Sequence, residues 1–260
     1  MLLFQCFYEN IRLVELPNGN TPLYDAGSIS DGVRAQQTIQ ATFWERKLSH
    51  IDALVVSHAD IDHFNAVPGL MHTIPVGRLF IARPFLDFKQ RGVVKLCQAA
   101  RDTKVPIRIV QSGDRLKIDE SVTVEVLYPD VEDWSSHDNA NSIVLLIEYA
   151  GRRILLTGDL EGVGLRRLLQ QSPCDVEILL SPHHGSPKSN SPPLAQWAQP
   201  EWVVVSGGSR RRAADLQPIY GEGTCIRSTS DRGAVTFEIS PNGTIRESCY
   251  CHQTLEVPRL

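Results

Sequence analysis

Three short clusters of metal-ligating residue types stand out in this chain. The first is His58-Ala59-Asp60-Ile61-Asp62-His63, the second Thr157-Gly158-Asp159 and the third Ser181-Pro182-His183-His184-Gly185-Ser186. Histidine and aspartate are costly to bury unpaired, so core filling does not account for the first cluster. A single aspartate after a strand is commonly a turn or a cap, and a single histidine pair is commonly a hydrogen-bonding feature. Three clusters at separated positions, each after an apolar run, point instead to ligands converging where strands open into loops.

The set is rich in oxygen and lacks cysteine, which leans away from soft-metal sites and admits Mn²⁺ as well as Zn²⁺. His58 and Asp60 alternate along the chain and could hold one ion, while Asp62 and His63 hold a second. Asp159 could bridge both, and His183 or His184 could complete the second. Two divalent ions ~3.5–4 Å apart activate a water and clamp the attacking and leaving oxygens of a displacement. A single-ion site would draw on the same residues, and residue types alone do not count ions.

Those clusters need rigid elements to hold them. Residues 51–56 (IDALVV) form a nearly continuous apolar run, as expected of a strand buried on both faces. Further strands are expected over 78–82, 107–110, 176–180 and 202–206, with SVTVEVLY at 121–128 alternating in the strand period. Asn18-Gly19 joins a hairpin over 11–16 and 21–25, Ala150-Gly151 one over 142–149 and 152–157, and Asn242-Gly243 one over 234–239 and 244–247. Helices are expected over 33–48, 65–73, 89–101 and 160–170. No fixed-period repeat or low-complexity linker breaks the pattern. The expectation is a single domain over 1–260, core about 11–247, with two layers of sheet and helices outside them.

Composition sets outer limits. The chain has 260 residues, 42% of them hydrophobic, with 26 Lys+Arg against 30 Asp+Glu and a formal net charge of −4. That balance argues against a protein that holds nucleic acid by bulk positive charge. It does not exclude an enzyme that handles nucleic acid in a cleft charged locally by metal. No apolar run approaches the ~20 residues needed to cross a bilayer, and the N-terminus lacks the features of a signal peptide. Six scattered cysteines read as reduced thiols in a cytoplasmic protein. Cys249-Tyr250-Cys251-His252 has no second ligand pair at zinc spacing and reads as the end of a strand.

Taken together, these motifs resemble the metallo-β-lactamase superfamily and, within it, the metallo-hydrolase domain of the ComEC-type DNA-internalisation competence proteins. Most of the superfamily has His-x-His-x-Asp-His in the first motif, and Asp60 in place of the second His is typical of the competence branch. Leu54-Val55-Val56-Ser57-His58 and Val76-Gly77-Arg78 match its flanks. Asn139-Ala140-Asn141-Ser142-Ile143-Val144-Leu145 looks like the segment where this branch replaces a further His with Asn and Ser. Arg227-Ser228-Thr229-Ser230-Asp231-Arg232-Gly233-Ala234-Val235 looks like its closing strand motif. The match covers about 13–239.

The resemblance implies an α/β fold, an αββα sandwich with the metal site at one edge between two sheets. It implies that Asp62 shuttles protons as well as ligating, and that Asn141 and Ser142 lie near the first metal in contact with substrate. A plain turn opening the strand over 142–149 accounts for those two equally well. Asp25, in Tyr24-Asp25-Ala26-Gly27, matches the family's acid near the site and is expected to orient a ligand. Three departures stand out. The family's membrane channel is missing, so translocation of DNA would need a separate channel protein. Phe7-Tyr8-Glu9-Asn10 replaces a Gly-Gln-Gly-Asp-like turn, and Gly207-Gly208-Ser209-Arg210-Arg211-Arg212, read as a solvated loop, replaces a segment that often carries another His.

Three functions fit these observations. The first is metal-dependent cleavage of phosphodiester bonds in nucleic acid or a nucleotide. The second keeps the metal and changes the substrate to a carboxylic ester, lactone, thioester or β-lactam, since fold does not decide function. The third is a catalytically decayed domain that binds a partner.

Overall fold

A computed structural model describes residues 1–7, 9–131, 134–207 and 210–250, with the backbone alone at 210–212. Tyr8, Gly208, Ser209, Cys251 and His252 of the motifs above lie outside the described residues. The described strands form two sheets. The first runs in the order β14 (Ile245–Tyr250), β13 (Ala234–Ile239), β1 (Leu2–Cys6), β2 (Asn10–Glu15), β3 (Pro22–Gly27), β4 (Ala53–Val55), β5 (Leu79–Ala82), β6 (Ile107–Val110). The second runs β12 (Cys225–Ser228), β11 (Trp202–Val205), β10 (Ile178–Leu180), β9 (Arg152–Leu156), β8 (Val144–Tyr149), β7 (Thr123–Tyr128).

The continuous apolar runs follow from burial on both faces. In β4, Ala53 and Val55 enter a core between the two sheets, while Leu54 enters a second core under helices. In β9 and β10, Ile154, Leu156, Ile178 and Leu180 face that same inter-sheet core, and Leu155 and Leu179 face a third. Ile39 and Phe43 of α1 (Gly32–Glu45) cover the first sheet. Phe64 of α2 (Ile61–Phe64), Leu70 of α3 (Val67–Thr73) and Leu96 of α4 (Arg91–Asp102) join them. On the second sheet the cover comes from Leu168 of α5 (Gly162–Leu168), Trp197 of α6 (Pro192–Ala198) and Leu216 of α7 (Arg210–Tyr220). The layers are therefore helix, sheet, sheet, helix, as the sequence predicts.

Several boundaries differ from expectation. The helix expected over 65–73 begins at Val67, because Asn65 caps a separate short helix, α2, and Pro68 sits in the first turn of α3. Arg210, Arg211 and Arg212 open helix α7 rather than forming a loop. Ala213, Ala214 and Leu216 behind them are good helix formers, and the fully buried Leu216 anchors that helix. The N-terminal apolar stretch is an interior strand, β1, paired on both sides. No described helix is long and apolar enough to cross a membrane.

In both sheets the strands that lead into the ligand clusters are parallel: β3 to β6 in one, β9 to β12 in the other. Their C-terminal ends open along one edge of the sandwich, where the loops carry the candidate ligands.

Candidate metal centre

Each sheet supplies half of the site. The turn after β4 carries Ser57 and His58, and α2 carries Asp62 and His63. The turn after β9 supplies Asp159. The 3-10 turn Pro182–Gly185 after β10 supplies His183 and His184. Two contacts lock the halves together: Ile143 N–H donates to Ser57 O at 2.8 Å, and the Tyr24 hydroxyl donates to Ile143 O at 2.6 Å. Gly158 lies where the layers meet, with φ of +53°. A Cβ there would stand 2.9 Å from Ser57 Cβ and 3.0 Å from the Tyr24 hydroxyl. Glycine is needed for both the torsion and the close approach.

Local backbone distortions aim the side chains. Ile11 and Arg12 of β2 oppose Ala26 and Tyr24, so Asp25 is the extra residue of a β-bulge, with φ of +58°. The bulge turns its carboxylate toward the site. His183 and His184 both take left-handed backbone, with φ of 49° and 52°. For non-glycine residues such torsions cost ~1–3 kcal/mol each, and they persist where surrounding contacts fix them.

Among the described residues two groups of potential ligand atoms each lie within 4.8 Å of one another: His58, His63 and Asp159, then Asp62, His63 and His184. His63 Nε2 lies 3.3 Å from Asp159 Oδ1 and 4.0 Å from Asp62 Oδ2. Asp159 Oδ2 lies 3.6 Å from His184 Nε2 and 3.8 Å from His183 Nε2. Asp60 joins neither group. It is partly exposed and caps α2, its Oδ1 accepting from Ile61 N–H at 2.8 Å. The expected pairing of His58 with Asp60 is thus replaced by His58 with His63 and Asp159. Asn141 and Ser142 are engaged locally. Asn141 exchanges hydrogen bonds with Ser135 and donates to His137 O, and the Ser142 hydroxyl donates to Asn139 O.

The four imidazoles share one arrangement. Each commits Nδ1 elsewhere: His58 to the Ser57 hydroxyl at 2.9 Å, and His63 to Asp25 Oδ2 at 2.9 Å. His183 Nδ1 meets Glu161 Oε2 at 3.0 Å, and His184 Nδ1 meets Ser206 O at 2.8 Å. For the last three the partner only accepts, so Nδ1 carries the hydrogen and Nε2 presents a lone pair. His58 Nε2 and His63 Nε2 are buried and have no hydrogen-bond partner among the described residues. Orphaned imidazole nitrogens beside two carboxylates, each ring held from behind, are the donor set of a divalent metal. The residues fit the ions that the sequence predicts.

The electrostatics agree. Burial pushes His58 down to about 3, so its imidazole stays neutral. Burial would lower His63 too, but Asp159 and Asp25 raise it well above the ordinary histidine range. Burial would raise Asp159, yet facing His63 it is held well below the ordinary carboxylate range. Burial raises Asp62. The carboxylates of Asp25 and Asp159 thus favour positive charge at His63, which is where a cation is called for.

Sequence reasoning did not single out Arg12, Ser57, Glu161 or the Ser206 carbonyl, and met Asn10 only as part of a departing turn. Two polar residues spaced i, i+2 in an apolar strand were the available signal for Asn10 and Arg12.

Residues 5–194 match the profile of the Metallo-beta-lactamase superfamily. The chain is 34% identical over 166 residues to ComE operon protein 3 of Bacillus subtilis (strain 168), covering 64% of this chain and 21% of that protein. It is 27% identical over 231 residues to Competence protein ComA of Neisseria gonorrhoeae, covering 85% of this chain and 30% of that protein. The chain thus spans about a fifth to a third of the length of these relatives. Among solved structures, Zn(2+)-bound PqqB from Methylobacterium extorquens aligns with a TM-score of 0.56 at 13% identity, over 88% of this chain and 86% of that one. CmlA, a diiron beta-hydroxylase from Streptomyces venezuelae, aligns with a TM-score of 0.53 at 15% identity, over 87% and 52%. At such identities the structures speak for the fold alone. With its sandwich, its ligand clusters and a family match over most of its length, the chain belongs to the metallo-β-lactamase superfamily.

Proposed function

We propose that this chain is a metal-dependent hydrolase that cleaves phosphodiester bonds in DNA or a nucleotide, with Zn²⁺ or Mn²⁺ as its metal. The observation that carries the reading is the pair of ligand groups sharing His63, which mixes imidazole nitrogen with the carboxylates of Asp62 and Asp159. Similarity to competence proteins supports a nucleic-acid substrate. Divalent ions held there would supply Lewis acidity and a water acidified enough to attack at neutral pH.

The chain's own residues do the rest. His58, His63 and Asp159 would hold one ion and Asp62 and His184 would serve the other, because Asp25 holds Nδ1 of His63 and the one nitrogen left to that ring ligates a single ion. Asp62, 8% exposed at the rim of the site, would be the carboxylate to accept a proton. Asp25 fixes the His63 ring through Nδ1, and the buried walls exclude bulk water from one side. A membrane channel would be the partner with which such a hydrolase serves DNA uptake, acting in the cytoplasm.

The test uses chain stripped with chelator and reloaded with Zn²⁺ or Mn²⁺, then incubated with single- and double-stranded DNA, bis-p-nitrophenyl phosphate and p-nitrophenyl acetate. Metal-dependent cleavage of the phosphodiesters, abolished by Asp62→Ala and by Asp159→Ala, is expected. Turnover of the acetate alone, or DNA cleavage indifferent to both substitutions, overturns the reading.

A further inference from the structure

Behind the ligands, two polar side chains of β2 converge on Asp62 and on the support of His63. Asn10 is 3% exposed, and its Nδ2 donates both to the main-chain oxygen of Asp62 at 3.1 Å and to Asp62 Oδ2 at 3.0 Å. The direction of this amide is fixed from the other side. Arg12 Nη1 donates to Asn10 Oδ1 at 3.3 Å, and a guanidinium only donates. The amide oxygen must therefore face Arg12 and the NH₂ must face Asp62. The same Nη1 lies 4.0 Å from Asp25 Oδ2, the atom that meets His63 Nδ1.

Arg12 is itself 3% exposed, and its Nε has no hydrogen-bond partner among the described residues. A buried guanidinium is costly unless its surroundings use the charge. Here one charge reaches the supports of two ligands: Asp62 through Asn10, and His63 through Asp25. The β-bulge opposite Arg12 brings Asp25 within that reach.

We infer that Asn10 and Arg12 are positioning residues of the metal centre, Asn10 clamping Asp62 and Arg12 setting the direction of that clamp while sharing the Asp25 carboxylate. The inference rests on the proposed role of Asp62 and His63 as ligands, not on the identity of the substrate. An asparagine that merely closed the start of β2 would contribute to folding and leave metal affinity per folded molecule unchanged.

The experiment titrates chelator-stripped chain with Zn²⁺ by calorimetry and records the metal-free melting temperature beside it. Asn10→Leu keeps the volume and removes the donor. Asn10→Ser, smaller and left with one hydroxyl, stands in if the leucine variant does not fold. Arg12→Met keeps the stem and removes the charge. Zn²⁺ affinity is expected to fall about 10–100-fold in the Asn10 variants and in Arg12→Met, as for other residues that orient ligands. Asp62→Ala should fall at least as far. Wild-type affinity in the Asn10 and Arg12 variants, with Asp62→Ala weakened, overturns the positioning role and leaves the ligand assignment standing. Unchanged affinity in Asp62→Ala overturns the inference at its root by removing Asp62 from the ligands.

Discussion

Replacing Asp159 by Asn should nearly abolish the stabilisation that divalent metal gives this chain. The carboxylate is 6% exposed and stands 3.3, 3.6 and 3.8 Å from the Nε2 atoms of His63, His184 and His183. It faces imidazoles carried by both halves of the sandwich. Metal present at 100 times its dissociation constant stabilises the native state by ~2.7 kcal/mol per site. In a chain of this size each kcal/mol moves the melting temperature by roughly 2–4 °C, so one wild-type site should give a rise of about 5–11 °C. Losing an oriented anionic ligand weakens binding by ~100-fold, taking the upper end of what even supporting residues contribute. The same metal concentration then only equals the dissociation constant, and the stabilisation falls to ~0.4 kcal/mol, a rise under about 2 °C. The assay is thermal unfolding of chelator-stripped wild type and Asp159→Asn across a Zn²⁺ or Mn²⁺ series. Equal metal-dependent rises in both proteins, or no rise in the wild type, refute the reasoning.

Three further outcomes follow from contacts away from Asp159. Gly27→Ala places a Cβ against the main-chain oxygen of Asp62, so it should displace α2, weaken metal binding and cost ~1–3 kcal/mol in urea unfolding. Tyr24→Phe removes the hydroxyl that satisfies Ile143 O between the sheets and should cost ~1–3 kcal/mol while leaving metal stoichiometry intact. Burial would raise Glu247, but the two-pronged contact with Arg227 holds it below the ordinary carboxylate range. Its contribution is therefore complete above the ordinary glutamate value and lost as pH falls through the depressed one. Glu247→Gln should lower the urea midpoint at pH 7 by the equivalent of ~1 kcal/mol or less, and the gap from wild type should close toward pH 3. A gap that persists unchanged at low pH counts against the ion pair.

Much of the site was legible because its ligands are local in sequence. His58 and Asp62 with His63 fall in one hexad, and Asp159 and the His183-His184 pair each follow an apolar run that reads as a strand. Spacing alone could not assign Asp60, because an aspartate at that position can ligate or cap a helix, and here its Oδ1 caps α2. Nor could it show which imidazole nitrogens remain for metal, since their Nδ1 partners, Asp25, Glu161 and the Ser206 carbonyl, come from distant segments. The Asn10 clamp was hidden for the same reason, at a sequence separation of 52 from Asp62. The fold was legible wherever apolar runs were long. It was not at α7, where three arginines masked the helical pattern behind them.

The pairing of β1 with β13, Leu2 opposite Ile239, has a consequence for the chain as it is made. Strand β1 leaves the ribosome before β2 and β13 and can pair with β2 almost at once. Its other edge has to wait until β13 is made. During that interval a buried-type strand, Leu2-Leu3-Phe4-Gln5-Cys6, offers open backbone groups to any neighbouring nascent chain. Closing so distant a pair is slow, and slow closure with an open edge is where aggregation competes with folding. Synthesis at lower temperature, or with a chaperone that covers strand edges, should therefore raise the soluble yield of this chain more than substitutions at the metal centre would.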